Sequence, residues 1–128
     1  KGGISRWIAE NHPVEAENYN PNKGMSLQEL QAMINAAQDS IVLVDFNAAW
    51  CAPCKKMKAF MPALIKECSG KLKVIYVDYD NNPQLVSAMK VASIPALMLF
   101  QNGIEMKRYA GFVPQEDLKV AISTLLKP

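Results

Sequence analysis

Two rhythms of apolar residues run along the chain, one helical and one strand-like, and the places where they change mark its elements. Leu27, Leu30, Met33, Ile34 and Ala37 recur at helical spacing. Ahead of them, Ser26-Leu27-Gln28-Glu29 has the form of a capping box, which predicts the start of a first amphipathic helix. Ile41 to Phe46 breaks that rhythm: it is short, β-branched-rich and nearly all apolar, as suits a central strand covered on both faces. Asp45 is the anomaly inside it. From Cys51 to Cys68 the helical spacing returns at Met57, Phe60, Met61, Leu64, Ile65 and Cys68. Pro62 removes one backbone bond there and is expected to kink the helix, which Ser69-Gly70 ends. Leu72 to Tyr79 predicts a second strand, and Asn81-Asn82-Pro83 a short helix through about Lys90 with Pro83 in its first turn. The order strand, helix, strand implies a right-handed parallel crossover. Ala96 to Phe100 and Ile104 to Tyr109 predict an antiparallel hairpin, because the Asn102-Gly103 pair between them supplies the positive φ angles of a tight turn. Pro114, Gln115, Glu116 and Asp117 then open a last helix, with Pro in the first turn, acids at the positive end and Leu118, Ile122 and Leu125 on the buried face.

Residues 1–24 show neither rhythm. His12-Pro13, Asn20-Pro21 and Gly24 interrupt them and Trp7-Ile8 is their one apolar cluster, so an irregular extension or tether is expected there, with the domain spanning 25–128. Half of the 128 residues are hydrophobic, enough for one compact domain with its own core. Fourteen basic and twelve acidic residues leave a net charge of +2 without long runs of one sign, and nothing points to nucleic acid. No apolar run approaches the ~20 residues of a membrane span. Lys1 stands where an initiator Met is absent, so residues are expected to be missing ahead of it. A removed secretory signal or anchor is a common cause, which tips the expected location toward the extracytoplasmic side.

The candidate chemistry is Trp50-Cys51-Ala52-Pro53-Cys54, two thiols three residues apart directly after the first strand pattern. On a helix such residues share a face with Cβ atoms about 5–6 Å apart, within adjustment of the roughly 3.5–4.5 Å that a disulfide needs. At the helix start, free N–H groups and the positive end of the dipole favour an anion, so the Cys51 thiolate should form at a lower pH than an ordinary thiol's. Cys51 is therefore the expected nucleophile. Three cysteines and one histidine, His12, do not build a four-ligand zinc site, and no metal is expected. Met57 and Met61 fit core filling better than a soft copper site. Cys68 lies about 21 Å beyond Cys54 along a helix rising ~1.5 Å per residue, so it is expected to be a buried structural thiol, and His12 a surface residue.

A C-x-x-C at a strand-to-helix turn, followed by a hairpin and a closing helix, resembles the thioredoxin family from about Met25 to Pro128. Three stretches carry the likeness in order and spacing: Val44-Asp45-Phe46 with Trp50-Cys51-Ala52-Pro53-Cys54-Lys55, then Ser93-Ile94-Pro95-Ala96, then Tyr109-Ala110-Gly111. The resemblance implies an α/β thioredoxin fold, a central mixed sheet flanked by helices on both faces. It also implies a protein thiol–disulfide oxidoreductase, and Ile94 before the proline resembles the reducing members. In that pattern Cys51 attacks, Cys54 resolves, and Asp45 is the buried acid whose raised pKa lets it relay a proton from Cys54. Pro95 matches the cis-proline facing the disulfide, leaving the Ile94 backbone free to pair with an extended substrate segment. Trp50, Ala52, Pro53, Ala92, Ser93, Ile94, Ala110 and Gly111 match the apolar docking surface. The implied partners are disulfide-containing proteins and an upstream electron-donor reductase, acting on a monomer whose redox-active disulfide needs no bound cofactor.

The chain departs from the family pattern at several points. Ala52 stands where thioredoxins have Gly, Asn47 where they usually have an aromatic residue, and Tyr76 in the place of the lysine that neighbours the buried acid. Pro62 is displaced from the family's helix proline, which belongs near Ala59, and no clear first strand precedes Ser26. Cys54-Lys55-Lys56-Met57 looks more like extracytoplasmic reductase domains, so a specialised reductase or isomerase fed by a membrane donor, for instance in cytochrome maturation, is the first alternative. A binding module with a purely structural disulfide is the second.

Overall fold

In the computed structural model, residues 24–37 and 39–127 are described. The expected extension, with Trp7, Ile8 and His12, lies outside the described residues apart from Gly24. Helix α1 (Leu27–Ala36) starts on the capping box: the Ser26 hydroxyl accepts from the Glu29 N–H at 3.0 Å and the Glu29 carboxylate accepts from the Ser26 N–H at 2.9 Å. Strand β1 (Ile41–Asn47) follows, then α2 (Ala52–Glu67), β2 (Leu72–Asp78), α3 (Pro83–Ala88), β3 (Ala96–Gln101), β4 (Ile104–Ala110) and α4 (Gln115–Leu126). The strands form one mixed sheet in the order β2-β1-β3-β4, with β1 parallel to β2 and antiparallel to β3, and β4 antiparallel to β3.

Strand β1 explains the layering. Successive side chains alternate between the sheet faces, so Val42, Val44 and Phe46 enter a core with Leu30 and Ile34 of α1 and Leu85 of α3, whereas Ile41 and Leu43 enter another with Met57, Met61 and Leu64 of α2 and Leu118 and Ile122 of α4. Both faces are buried, which is why the strand reads as a nearly continuous apolar run. Strand β4 lies at the sheet's edge, and Ile104 and Met106 are exposed on it.

Two details differ from the sequence expectation. Helix α3 stops at Ala88 instead of near Lys90, because Lys90 takes a positive φ of 58°, outside the helical region. Pro114, with ψ 151°, is extended and caps α4 from outside its first turn. Helix α2 runs through Pro62 from Ala52 to Glu67, as the helical spacing predicts, with Pro62 on its exposed side. The hairpin turn is as expected, with φ of 54° at Asn102 and 82° at Gly103.

One buried polar side chain ties the start of the fold to the loop after β2. The Asn82 carboxamide oxygen accepts from the Met25 N–H, while its Nδ2 donates to the Asp78 carbonyl at 2.8 Å. Asn82→Ala leaves the buried Met25 N–H unpaired and is expected to cost about 1–3 kcal/mol in urea unfolding. A loss under about 0.5 kcal/mol would mean that this tether carries little of the fold.

Candidate active site

After β1 the chain turns through buried Ala48 into α2, and the Cys51 N–H donates to the Ala48 carbonyl at 3.1 Å. That turn makes Cys51 the N-cap of α2, in an extended conformation, with its Sγ accepting from the Cys54 N–H at 3.2 Å. Cys51 and Cys54 are joined as a disulfide with their Cα atoms 5.3 Å apart. Cys51 is 5% exposed and Cys54 2%, so both cysteines are buried and the N-cap residue is slightly the less covered. Around it Trp50, Ala52 and Pro53 are all exposed. The Trp50 indole is oriented by Asp80, whose Oδ2 accepts from Nε1 at 2.8 Å.

Sheet topology brings two more segments to this end of the molecule. Antiparallel pairing sets Phe46, at the end of β1, against Ala96 at the start of β3, and Ala96 against Ala110 at the end of β4. Ile94, joined to buried Pro95 by a cis peptide bond, packs on the Cys51–Cys54 pair together with Tyr79. The Gly111 N–H donates to the Pro95 carbonyl at 2.8 Å, with Gly111 at φ +99°, a conformation that favours glycine. Ala92, Ser93 and Ala110 are exposed beside these residues. The residues expected on the docking surface thus lie in the three segments that meet at this end of the sheet: the turn into α2, the approach to β3 and the end of β4. Phe112, which sequence patterning did not single out, follows Gly111; it is 47% exposed and edge-on to Phe60, with ring centroids 6.5 Å apart.

Asp45 points to the α2 face of the sheet, the same face as Ile41 and Leu43. It is fully buried, and neither carboxylate oxygen has a hydrogen-bond partner. Burial pushes its pKa up to about 7, and the positive charge of Lys58 acts in the opposite direction. Across β2 its partner is Tyr76, whose phenol is itself shifted upward by burial and then by the Asp45 charge. Asp80 and Lys58 carry no local sequence signal, since each meets its partner through tertiary packing. Cys68 sits at the far end of α2 as its C-cap, buried and outside the disulfide. Burial raises the Cys68 thiol, Glu67 adds to the shift and Lys119 opposes it. Among the described residues no group of three or more His, Cys, Asp or Glu side chains is placed to hold a metal ion.

The Asp45 carboxyl ties stability to pH with a definite sign. The native form keeps its proton up to about pH 7, whereas the unfolded chain loses it near pH 3.8, so native stability falls as pH rises through that window and levels off above it. The loss attributable to this group is on the order of 4 kcal/mol. Asp45→Asn is therefore expected to unfold at clearly higher urea than the parent at pH 8 and at nearly the same urea at pH 4. Equal midpoints at pH 8 would contradict the buried ionised carboxylate.

The comparisons with known proteins agree with this geometry. The sequence model of the thioredoxin family matches residues 23–124. Thioredoxin from Staphylococcus saprophyticus is 36% identical over 85 residues, covering 66% of this chain and 82% of that protein. Thioredoxin 1 from Nostoc is 40% identical over 80 residues, covering 62% and 75%. Among solved structures, Fasciola hepatica thioredoxin superposes with a TM-score of 0.69 at 26% identity, over 80% of this chain and 97% of that one. A mutant thioredoxin from Halobacterium salinarum gives 0.67 at 27% identity, over 86% and 96%. A family match that runs from before α1 into α4, around a C-x-x-C disulfide at the tip of β1, shows that the chain belongs to the thioredoxin family and is a thiol–disulfide oxidoreductase acting as a protein-disulfide reductase.

Proposed function

We propose that the domain over residues 25–128 reduces disulfides of other proteins by direct exchange, with Cys51 as nucleophile and Cys54 as resolving thiol. The observation that carries this assignment is the place of Cys51 as N-cap of α2, where its Sγ already accepts the Cys54 N–H. A thiolate in that position meets a free donor and the positive end of the helix dipole. The Cys51 thiolate attacks one sulfur of the substrate disulfide, forming a mixed disulfide and releasing the other sulfur as a thiolate. Cys54 then gives its proton to the Asp45 carboxylate, directly or through water, and attacks Cys51 Sγ. The second substrate thiolate leaves, and the two electrons that reduced the substrate are replaced in the enzyme by the Cys51–Cys54 bond.

Asp45 suits the acceptor role because its carboxyl, with a pKa near 7, lies on the sheet face that carries α2 and therefore Cys54. Pro95, its carbonyl held by Gly111, keeps Ile94 against the disulfide, so an extended substrate segment is received there. Trp50, Ala52, Pro53, Ser93, Ile94, Ala110 and Gly111 are the proposed docking residues. An upstream electron-donor reductase regenerates the dithiol, and the cycle runs in a monomer without metal or organic cofactor.

Two measurements test the reading. Cys54→Ala should accumulate covalent adducts with disulfide-containing proteins, seen on non-reducing gels, and Cys51→Ala should lose them; adducts that persist without Cys51 would reverse the assignment. Equilibration of the Cys51–Cys54 couple against dithiothreitol or glutathione buffers should give a potential near the about −270 mV of thioredoxins, whereas a value near about −120 mV would mark an oxidant.

A further inference from the structure

A carboxylate with no hydrogen-bond partner inside a protein ionises at large cost unless an opposite charge reaches it. Asp45 is in that position. Its neighbour across β3 is the apolar Leu97, and the α4 side chains buried on this face are Leu118 and Ile122. Titratable groups on this side include Tyr76, directly across on β2, Cys54 and Lys58 on α2, Cys68 at the far end of that helix and Tyr109 on β4. Lys58 lies four residues beyond Cys54, one helical turn along the same side of α2. As a residue it is exposed, and its Nζ sits 5.2 Å from the centroid of the Tyr76 ring. That distance is within the ~6 Å of a cation–π contact. Tyr76 thus has the buried acid beside it in the sheet and the lysine over its ring, so one aromatic side chain links the two charges.

We propose that Lys58, seated on the Tyr76 ring, is a positioning residue for Asp45: the ring holds the ammonium where its field reaches the carboxyl and favours the ionised form that accepts the Cys54 proton. Two observations independent of any titration carry this, namely the Asp45–Tyr76 register and the Lys58–Tyr76 contact. The direction in which Lys58 acts on the Asp45 carboxyl agrees with them. The proposal rests on the reading of Asp45 as the acceptor of that proton.

The test follows the Asp45 carboxyl by carbon-13 NMR titration of the oxidised whole chain, a readout independent of turnover. Lys58→Met is expected to raise the titration midpoint by about half a pH unit or more, and Tyr76→Leu to raise it in the same direction by releasing the ammonium. Lys58→Arg and Tyr76→Phe, which keep the charge and the ring, should leave it near the parent value. The proposal is overturned if Lys58→Met leaves the midpoint in place, or if Lys58→Arg shifts it as far as Lys58→Met does. In the reduced protein, the pH profile of mixed-disulfide resolution by Cys54 should move to higher pH in Lys58→Met by the same interval. A midpoint that moves while that profile stays would instead sink Asp45 as the proton acceptor.

Discussion

Burial of β1 on both faces is the constraint on which the rest of this molecule depends. A strand with a core above and below must be apolar on both sides, and Ile41, Val42, Leu43, Val44 and Phe46 meet that demand. The same strand pairs with β2 on one side and β3 on the other, so it sets the position of every element that touches the sheet. Its last residues deliver the chain to Ala48 and then to Cys51 at the start of α2. The disulfide is therefore placed by a strand that is buried on both faces.

Asp45 breaks the apolar rule of that strand, and the physics gives no structural reason for it to be there. Neither oxygen is hydrogen-bonded, and the environment resists its charge. A carboxyl kept from ionising until near neutral pH is poorly suited to holding a sheet together and well suited to exchanging a proton with a thiol. The fold tolerates it because the surrounding core is large: buried apolar residues from β1, β2 and β3 and from α1, α2, α3 and α4 close over the two faces. Local consistency yields at this one position, the one that the proposed proton transfer uses.

The meeting of three segments around the disulfide follows from strand direction. Since β1 and β3 are antiparallel, the end of β1 meets the beginning of β3, and the β3–β4 hairpin then returns the end of β4 to the same edge. Three loops far apart in the chain thus converge on the disulfide. The Gly111–Pro95 and Trp50–Asp80 hydrogen bonds fasten two of them, and Ile94 closes the gap by packing on the cysteines. Exposed Trp50 and Phe112 leave apolar surface around a nearly covered sulfur, a surface that a polypeptide can cover in turn.

Local chemistry made much of this legible in advance. Ser26 and Glu29 announce a helix start because capping involves residues three apart, and Asn102-Gly103 announces a hairpin because so few residue pairs accept two positive φ angles. The C-x-x-C and the lone acid in an apolar strand are likewise visible as written. Element ends were less so: α3 stops at Ala88 through the backbone conformation of Lys90, and Pro114 caps α4 without entering it. What the sequence by itself determined is the set of elements, their order and the reactive pair, because each depends on interactions within a few residues. Tertiary structure alone decided that Asp45 has no hydrogen-bond partner, that a cation from α2 sits over the Tyr76 ring beside it, and that Asp80 holds Trp50. Those facts depend on desolvation and on side chains tens of residues apart, and neither exists until the sheet and α2 have packed together.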